Sequence, residues 1–136
     1  MASFGKSSQA RLDTCDVRIQ SVLNEVIKHF DFSVLEGHRS IEKQQQYFLE
    51  GKSKLDGVNQ KSKHQSFPSL AADIAPYPID FSDKKKARER FYFLMGMVNM
   101  ESIKQGVEIR FGLDWDGDGL FDDQSFDDLP HFELKV

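Results

Sequence analysis

The sequence predicts an α+β domain, a small antiparallel sheet with flanking helices. Three observations carry this. Helical periodicity recurs in three separated stretches. The apolar stretches between them are short and bounded by Gly, Pro or Asp, as strands are. The two kinds come in mixed order rather than in strict strand–helix alternation. The 136 residues, 39% hydrophobic and 29% charged, suit one globular domain with a real core.

Each element has its own reason. Over residues 9–30, Leu12, Cys15, Ile19, Val22, Leu23, Val26, Ile27 and Phe30 recur at three- and four-residue steps, one face of an amphipathic helix. His29 falls at the end of that stretch, where a surface histidine complements the helix dipole. "DFSVLEG" (31–37) reads as a strand, with Phe32 and Val34 on one side and Leu35 buried near its end. "RSIEKQQQYFLEG" (39–51) reads as a second helix stopped by Gly51. Residues 52–69 are polar and rich in turn formers, so a loop is expected. "LAADIAPYP" is a strand ended by prolines. Residues 83–105 form the third helix, with Asp83 as its cap. "VEIRFG" is a strand, 114–128 an acidic loop, and "HFELK" the last strand.

Composition excludes several functions. A net charge of −4 argues against a general nucleic-acid-binding field. No apolar run reaches the roughly 18 residues of a membrane span. The opening "MASFGKSSQARLD" lacks the pattern of a secretory signal, so synthesis in a reducing cytoplasm is expected. Cys15 is the single cysteine, which rules out an internal disulfide and a cysteine-rich zinc site.

The chemistry-bearing residues gather in "SKHQSFPSLAAD", in the acidic loop and in "DLPHFEL". His64, Asp73 and His131 are two imidazoles and a carboxylate, a donor set that catalytic zinc sites use with one position left open. Asp73 is the strongest hint. A carboxylate among Leu70, Ala71, Ala72 and Ile74 costs several kcal/mol unless it is paired or bound to a metal. Pro130 disfavours a helical Leu129, so Asp128 sits on a loop turning into a strand, within reach of whatever His131 binds. From there it can act as a general base. Glu133 lies two residues beyond His131, on the same strand face, and can orient that ligand. Spacing alone leaves a structural role for these residues open.

Together, "SKH", "SLAAD" and "DLPHFEL" resemble the zinc-site motifs of VanY-type D,D/L,D-peptidases. These share a fold with D-Ala-D-Ala dipeptidases and the hedgehog amino-terminal domain. The chain most resembles phage endolysins of the L-alanyl-D-glutamate peptidase type, from about residue 11 to its end. Ser62 and His64 match Ser-x-His, Ala71 and Asp73 match Gly-x-Ala-x-Asp, and Asp128 and His131 match Asp/Glu-x-x-His. Arg39 and Gln44 occupy the places of an early arginine and a downstream glutamine, although three consecutive glutamines leave the register ambiguous. Two departures stand out. Ser69 replaces the usual glycine, and the interval from His64 to Asp73 is longer than the type, so Phe67 and Pro68 are expected to bulge.

The resemblance implies zinc on His64, Asp73 and His131, Asp128 as general base, and Arg39 on the scissile carbonyl. Ser62, Gln44 and Glu133 then touch substrate or support the ligands. It implies a single catalytic domain over 1–136 with no separate wall-binding domain. The implied substrate is bacterial peptidoglycan, cut at the L-alanyl-D-glutamate bond. The enzyme would be a monomer that acts on the wall after release through a holin-like pore. The alternatives are a D-Ala-D-Ala carboxypeptidase and a non-catalytic zinc- or calcium-binding module. Asp128 discriminates against the last, because a pure binder needs no base.

The loop "DWDGDGLFDDQS" places Asp114, Asp116, Asp118 and Gly119 at positions 1, 3, 5 and 6 of an EF-hand-like calcium loop. Leu120 offers its carbonyl at position 7, and Asp122 stands at position 9. Ser125 replaces the usual glutamate at position 12, with Asp123 a substitute in another register. Regulatory calcium, weakly bound, is the expectation. Trp115 suits either the core or the cleft.

Overall fold

A computed structural model of the chain describes residues 2–122 and 127–136. Among the described residues, four α-helices accompany one four-stranded sheet. In chain order they are α1 (Lys6–Leu12), α2 (Val17–Val26), β1 (Phe32–Glu36), α3 (Ile41–Leu49), β2 (Ala71–Pro76), α4 (Lys84–Gln105), β3 (Ile109–Phe111) and β4 (His131–Leu134). The strands run in the order β1-β2-β4-β3, each pair antiparallel, as the α+β reading predicts.

The first predicted helix is two. The chain turns between them and Asp16 caps α2, its carboxylate accepting from the Arg18 N–H at 2.9 Å. Across the turn Ser69 N–H donates to Thr14 O at 2.8 Å and Asp16 N–H to Ser69 O at 2.9 Å. The apolar period survives because the break leaves Leu12, Cys15 and Ile19 on one buried face. His29 lies past the end of α2, exposed.

Leu35 is a correction. Strand alternation sends Phe32 and Val34 inward and Leu35 outward, where it is 44% exposed. The pairing with β2 shifts between Val34 and Glu36, so Glu36 faces Asp73. Glu36 can stay buried because Arg39 and Lys43 neutralise it.

α3 starts at Ile41 because Ser40 caps it, accepting from Lys43 N–H at 3.1 Å. That leaves Arg39 in the turn between β1 and α3. Gly51 follows α3 with φ 76°, a left-handed stop. The predicted loop contains a short 3-10 turn at Lys63–Gln65. α4 spans nearly its predicted range, from the Asp83 cap to Gly106 at φ 72°.

The core lies between the sheet and α2 and α4, with Ile19, Leu23, Ile74, Leu94, Val98 and Phe132 almost fully buried. Alternation on the two central strands decides the rest. Ala72, Ile74, Phe132 and Leu134 face this core, so Asp73, His131 and Glu133 take the other face. Among the described residues, no helix is long and apolar enough to cross a membrane.

Candidate metal centre

Asp73 and His131 are direct cross-strand partners on β2 and β4, so their side chains leave the sheet side by side. His64 comes from the 3-10 turn before β2. Ser62 Oγ accepts from His64 N–H at 3.2 Å, and the Gln65 side chain accepts from Ser62 N–H at 2.8 Å. This reciprocal cap fixes the turn that carries the imidazole. Ser62 therefore positions His64.

Hydrogen bonding decides which ring nitrogens are free. His64 Nδ1 lies 2.7 Å from Gly37 O, which can only accept, so in the neutral ring Nδ1 carries the proton and Nε2 holds a lone pair. His131 Nε2 lies 2.9 Å from Glu133 Oε1, so in the neutral ring Nδ1 holds the lone pair. These two nitrogens are 3.2 Å apart, and Asp73 Oδ1 lies 3.2 Å from the first and 3.1 Å from the second. Three lone-pair atoms thus converge with no proton between them when both rings are neutral. Such a cluster is stable only around a cation. Tetrahedral zinc with bonds of about 2.0–2.1 Å needs donors roughly 3.3 Å apart, so the residues fit the metal. Without metal a proton takes that role. Burial acts to lower His131, but its hydrogen bonds to Asp73 and Glu133 prevail and push it up to about 9. Burial acts to raise Asp73, but His131 and His64 outweigh it and hold the carboxyl well below its usual range. Glu133 also resists its own burial and falls to about 2, held by His131, Arg110 and Lys63.

Asp128 lines the same cleft as the three donors. Its N–H donates to Gly112 O at 3.0 Å, and Gly112 N–H donates to His131 O at 2.8 Å. A Cβ on Gly112 would lie 2.2 Å from Asp128 O, so only glycine admits this approach. Burial and the nearby Asp73 charge raise the Asp128 carboxyl, partly offset by His131, His64 and Arg39.

Arg39 is buried beside the donors. Its Nε donates to Glu36 Oε1 at 2.9 Å and its Nη1 to Gln44 Oε1 at 2.6 Å, while Nη2 lies 3.8 Å from Asp73 Oδ2. The guanidinium also sits 4.7 Å from the Tyr47 ring centre. Gln44 is fully buried, whereas Gln45 and Gln46 are exposed. Its Nε2 donates to Ser53 Oγ at 2.9 Å and Leu55 O at 2.7 Å. Trp115 lines the cleft, its ring 5.4 Å from that of His131.

Sequence reasoning missed Glu36, Gly37 and Gly112. Gly37 works through its carbonyl and through having no side chain, since a Cβ there would lie 2.4 Å from Thr14 Oγ1. The glycine in "EGHRS" is the only available signal. Ser69, fully buried, donates its hydroxyl to Ala71 O at 2.7 Å, with Gly37 O a second acceptor at 3.2 Å. Phe67 does bulge, 75% exposed and edge-on to His38.

In the acidic loop the carboxylates of Asp114, Asp116 and Asp118 cluster within 4.8 Å of one another. Gly119 N–H donates to Asp114 Oδ2 at 2.9 Å and Leu120 N–H to Asp118 Oδ1 at 2.8 Å. The Asp118 N–H acts to lower Asp116, yet burial and the neighbouring carboxylates raise it overall. Leu120 and Asp122 are exposed, while Asp123 and Ser125 lie outside the described residues.

Comparison with known proteins completes the picture. The family described as phage L-alanyl-D-glutamate peptidase matches residues 1–135. The L-alanyl-D-glutamate peptidase of Escherichia phage T5 is 30% identical over 126 residues, covering 89% of this chain and 87% of that protein. The Serratia marcescens L-Ala D-Glu endopeptidase ChiX shares the fold, with a TM-score of 0.75 over 96% of this chain and 88% of that one at 20% identity. The chain belongs to the phage L-alanyl-D-glutamate peptidase family and is a peptidase.

Proposed function

We propose that the chain is a zinc-dependent endolysin that hydrolyses the L-alanyl-D-glutamate bond of peptidoglycan stem peptides. The observation that carries this is the triangle of lone-pair atoms on His64, Asp73 and His131, which needs a cation. Zinc there would supply Lewis acidity and make water a stronger acid. Asp128 takes the proton of the attacking water on its carboxylate and passes it to the departing glutamate nitrogen. A carboxyl raised above its ordinary value suits that exchange better than an exposed one. Arg39, held by Glu36 and Gln44, meets the alanyl carbonyl oxygen as negative charge develops on it. Glu133 holds the His131 ring in the tautomer that leaves Nδ1 free. On this reading the enzyme acts on the wall as a monomer, after a holin-like pore releases it.

Mass spectrometry of digested muropeptides names the bond. New amino-terminal glutamate is expected, and loss of terminal D-alanine alone would favour a carboxypeptidase. One zinc per chain is expected, lost with activity in His64→Ala. Asp128→Asn should keep the zinc and slow turnover roughly 10²–10⁴-fold. A His64→Ala/His131→Ala double variant with full zinc would overturn the site.

A second metal is favoured by the Asp114, Asp116 and Asp118 cluster, with Gly119 at φ 82° where an EF-hand-like loop turns sharply. Leu120 through its carbonyl and Asp122 complete the proposed calcium set. Without the position-12 glutamate, affinity should be weak, about 10⁻⁴–10⁻³ M. Calcium would order the segment leading to Asp128 and His131. Unchanged loop amide signals and unchanged rates up to millimolar calcium would refute it.

A further inference from the structure

The cleft over the donor triangle has a charge opposite to that of the chain. The chain carries −4, yet the cleft, about 500 Å³, is lined by Arg39, Lys52, Lys54, Lys61, Lys63 and Arg110. Among the described residues, the carboxylates on its walls are Asp73, Asp128 and Glu133. Three of these cations hold buried carboxylates: Arg39 pairs with Glu36, and Lys63 and Arg110 pair with Glu133. The other three stand on the connection between α3 and β2. Lys52 meets Glu50 at 3.1 Å across exposed surface, a weak pair in water. Lys54 is exposed. Lys61 is exposed and has no carboxylate partner among the described residues.

The connection that carries them is built. Gln44 holds Ser53 and Leu55 from below, and Gln65 Nε2 donates to Gly57 O at 2.9 Å. Asp56 Oδ1 accepts the N–H groups of Val58, Asn59 and Gln60, each at 2.9 Å. The same Gln44 grips Arg39, so the lysine-bearing wall and the catalytic arginine share one anchor.

What such a wall would recognise follows from the peptidase reading, on which this inference rests. Cutting an L-alanyl-D-glutamate bond leaves glutamate on the amine side. Glutamate has two carboxyl groups and the peptide continues through one. The other remains near the reacting nitrogen as a free carboxylate, or is capped as a carboxamide. We propose that Lys52, Lys54 and Lys61 form a carboxylate-recognition wall, which selects stem peptides whose glutamate keeps its free carboxylate over those in which it is amidated.

The test uses the zinc-loaded full chain and two synthetic muropeptides that differ only in this carboxylate or carboxamide. The wild type is expected to favour the carboxylate in kcat/KM by about tenfold, mainly through KM. Added salt should shrink that preference by screening exposed charges. Lys52→Gln/Lys54→Gln/Lys61→Gln should bring the ratio to within about threefold of unity, and Lys61→Glu alone should move it the same way. Circular dichroism checks folding, and the exposed single Lys61→Glu carries the test if the triple variant fails to fold. Equal wild-type rates on both substrates, or an unchanged ratio in the folded variants, would overturn the wall while leaving the peptidase reading intact. Cleavage of neither substrate would remove both.

Discussion

Gly112→Ala should disable the enzyme without removing any group that carries its chemistry. The added Cβ would lie 2.2 Å from Asp128 O and 3.0 Å from Asp128 Cβ. A carbon–oxygen contact relaxes only at roughly 3.2 Å or more, so one backbone must retreat by about 1 Å. No rotamer change relieves this, because the nearest atom is a carbonyl oxygen. The hydrogen bonds from Asp128 N–H to Gly112 O and from Gly112 N–H to His131 O oppose the retreat. Overpacking of this kind costs about 1–3 kcal/mol. For a chain of this size that lowers Tm by roughly 3–12 °C. A base displaced by about 1 Å costs on the order of 10²-fold in rate. Turnover of a defined muropeptide, zinc content by elemental mass spectrometry and a thermal melt read the three quantities. Zinc should stay near one per chain while rate and Tm fall. A variant with wild-type rate and Tm would show that the Gly112–Asp128 approach does not position the base.

Other perturbations read other parts of the scaffold. Gln44→Leu strands the Arg39 N–H and the Leu55 carbonyl, and should cost about 2–4 kcal/mol in urea unfolding while exposing residues 52–61 to limited proteolysis. Asp16→Ala removes the α2 cap, an expected loss of about 1 kcal/mol by the same measurement. Burial pushes the Cys15 thiol up to about 12, so it should react with thiol reagents at pH 8 only as fast as the protein opens. The folded chain holds that proton where the unfolded chain releases it, so stability should fall as pH rises from about 9 towards 12.

Much of this was readable because its causes are local. α4 could be read at both ends, since a capping aspartate and a terminal glycine bracket it. The donors could be read because a carboxylate in an apolar strand demands a partner, and histidines at 64 and 131 were available. The break between α1 and α2 was hidden because the apolar period runs through it in phase. It is imposed by Ser69, more than 50 residues away. Leu35 misleads because its hydrophobicity suggests burial, whereas strand alternation with Val34 inward turns it outward. The supports were invisible for a different reason. Gly37 and Gly112 act through backbone atoms and empty space, which residue type does not record.

The donor triangle also bears on how the chain holds together. Its corners are separated by 9, 58 and 67 residues along the sequence. A metal gripped at all three would act as a removable staple, tying distant points that the unfolded chain leaves free. Confining a loop of that length restricts the unfolded chain much as a disulfide would, and Cys15 alone cannot make one. Because the triangle exists only in the folded chain, each tenfold rise in free metal above its dissociation constant should add about 1.4 kcal/mol to stability. Chelation would then loosen the whole domain as well as silence it, and a melting curve would serve as a metal titration.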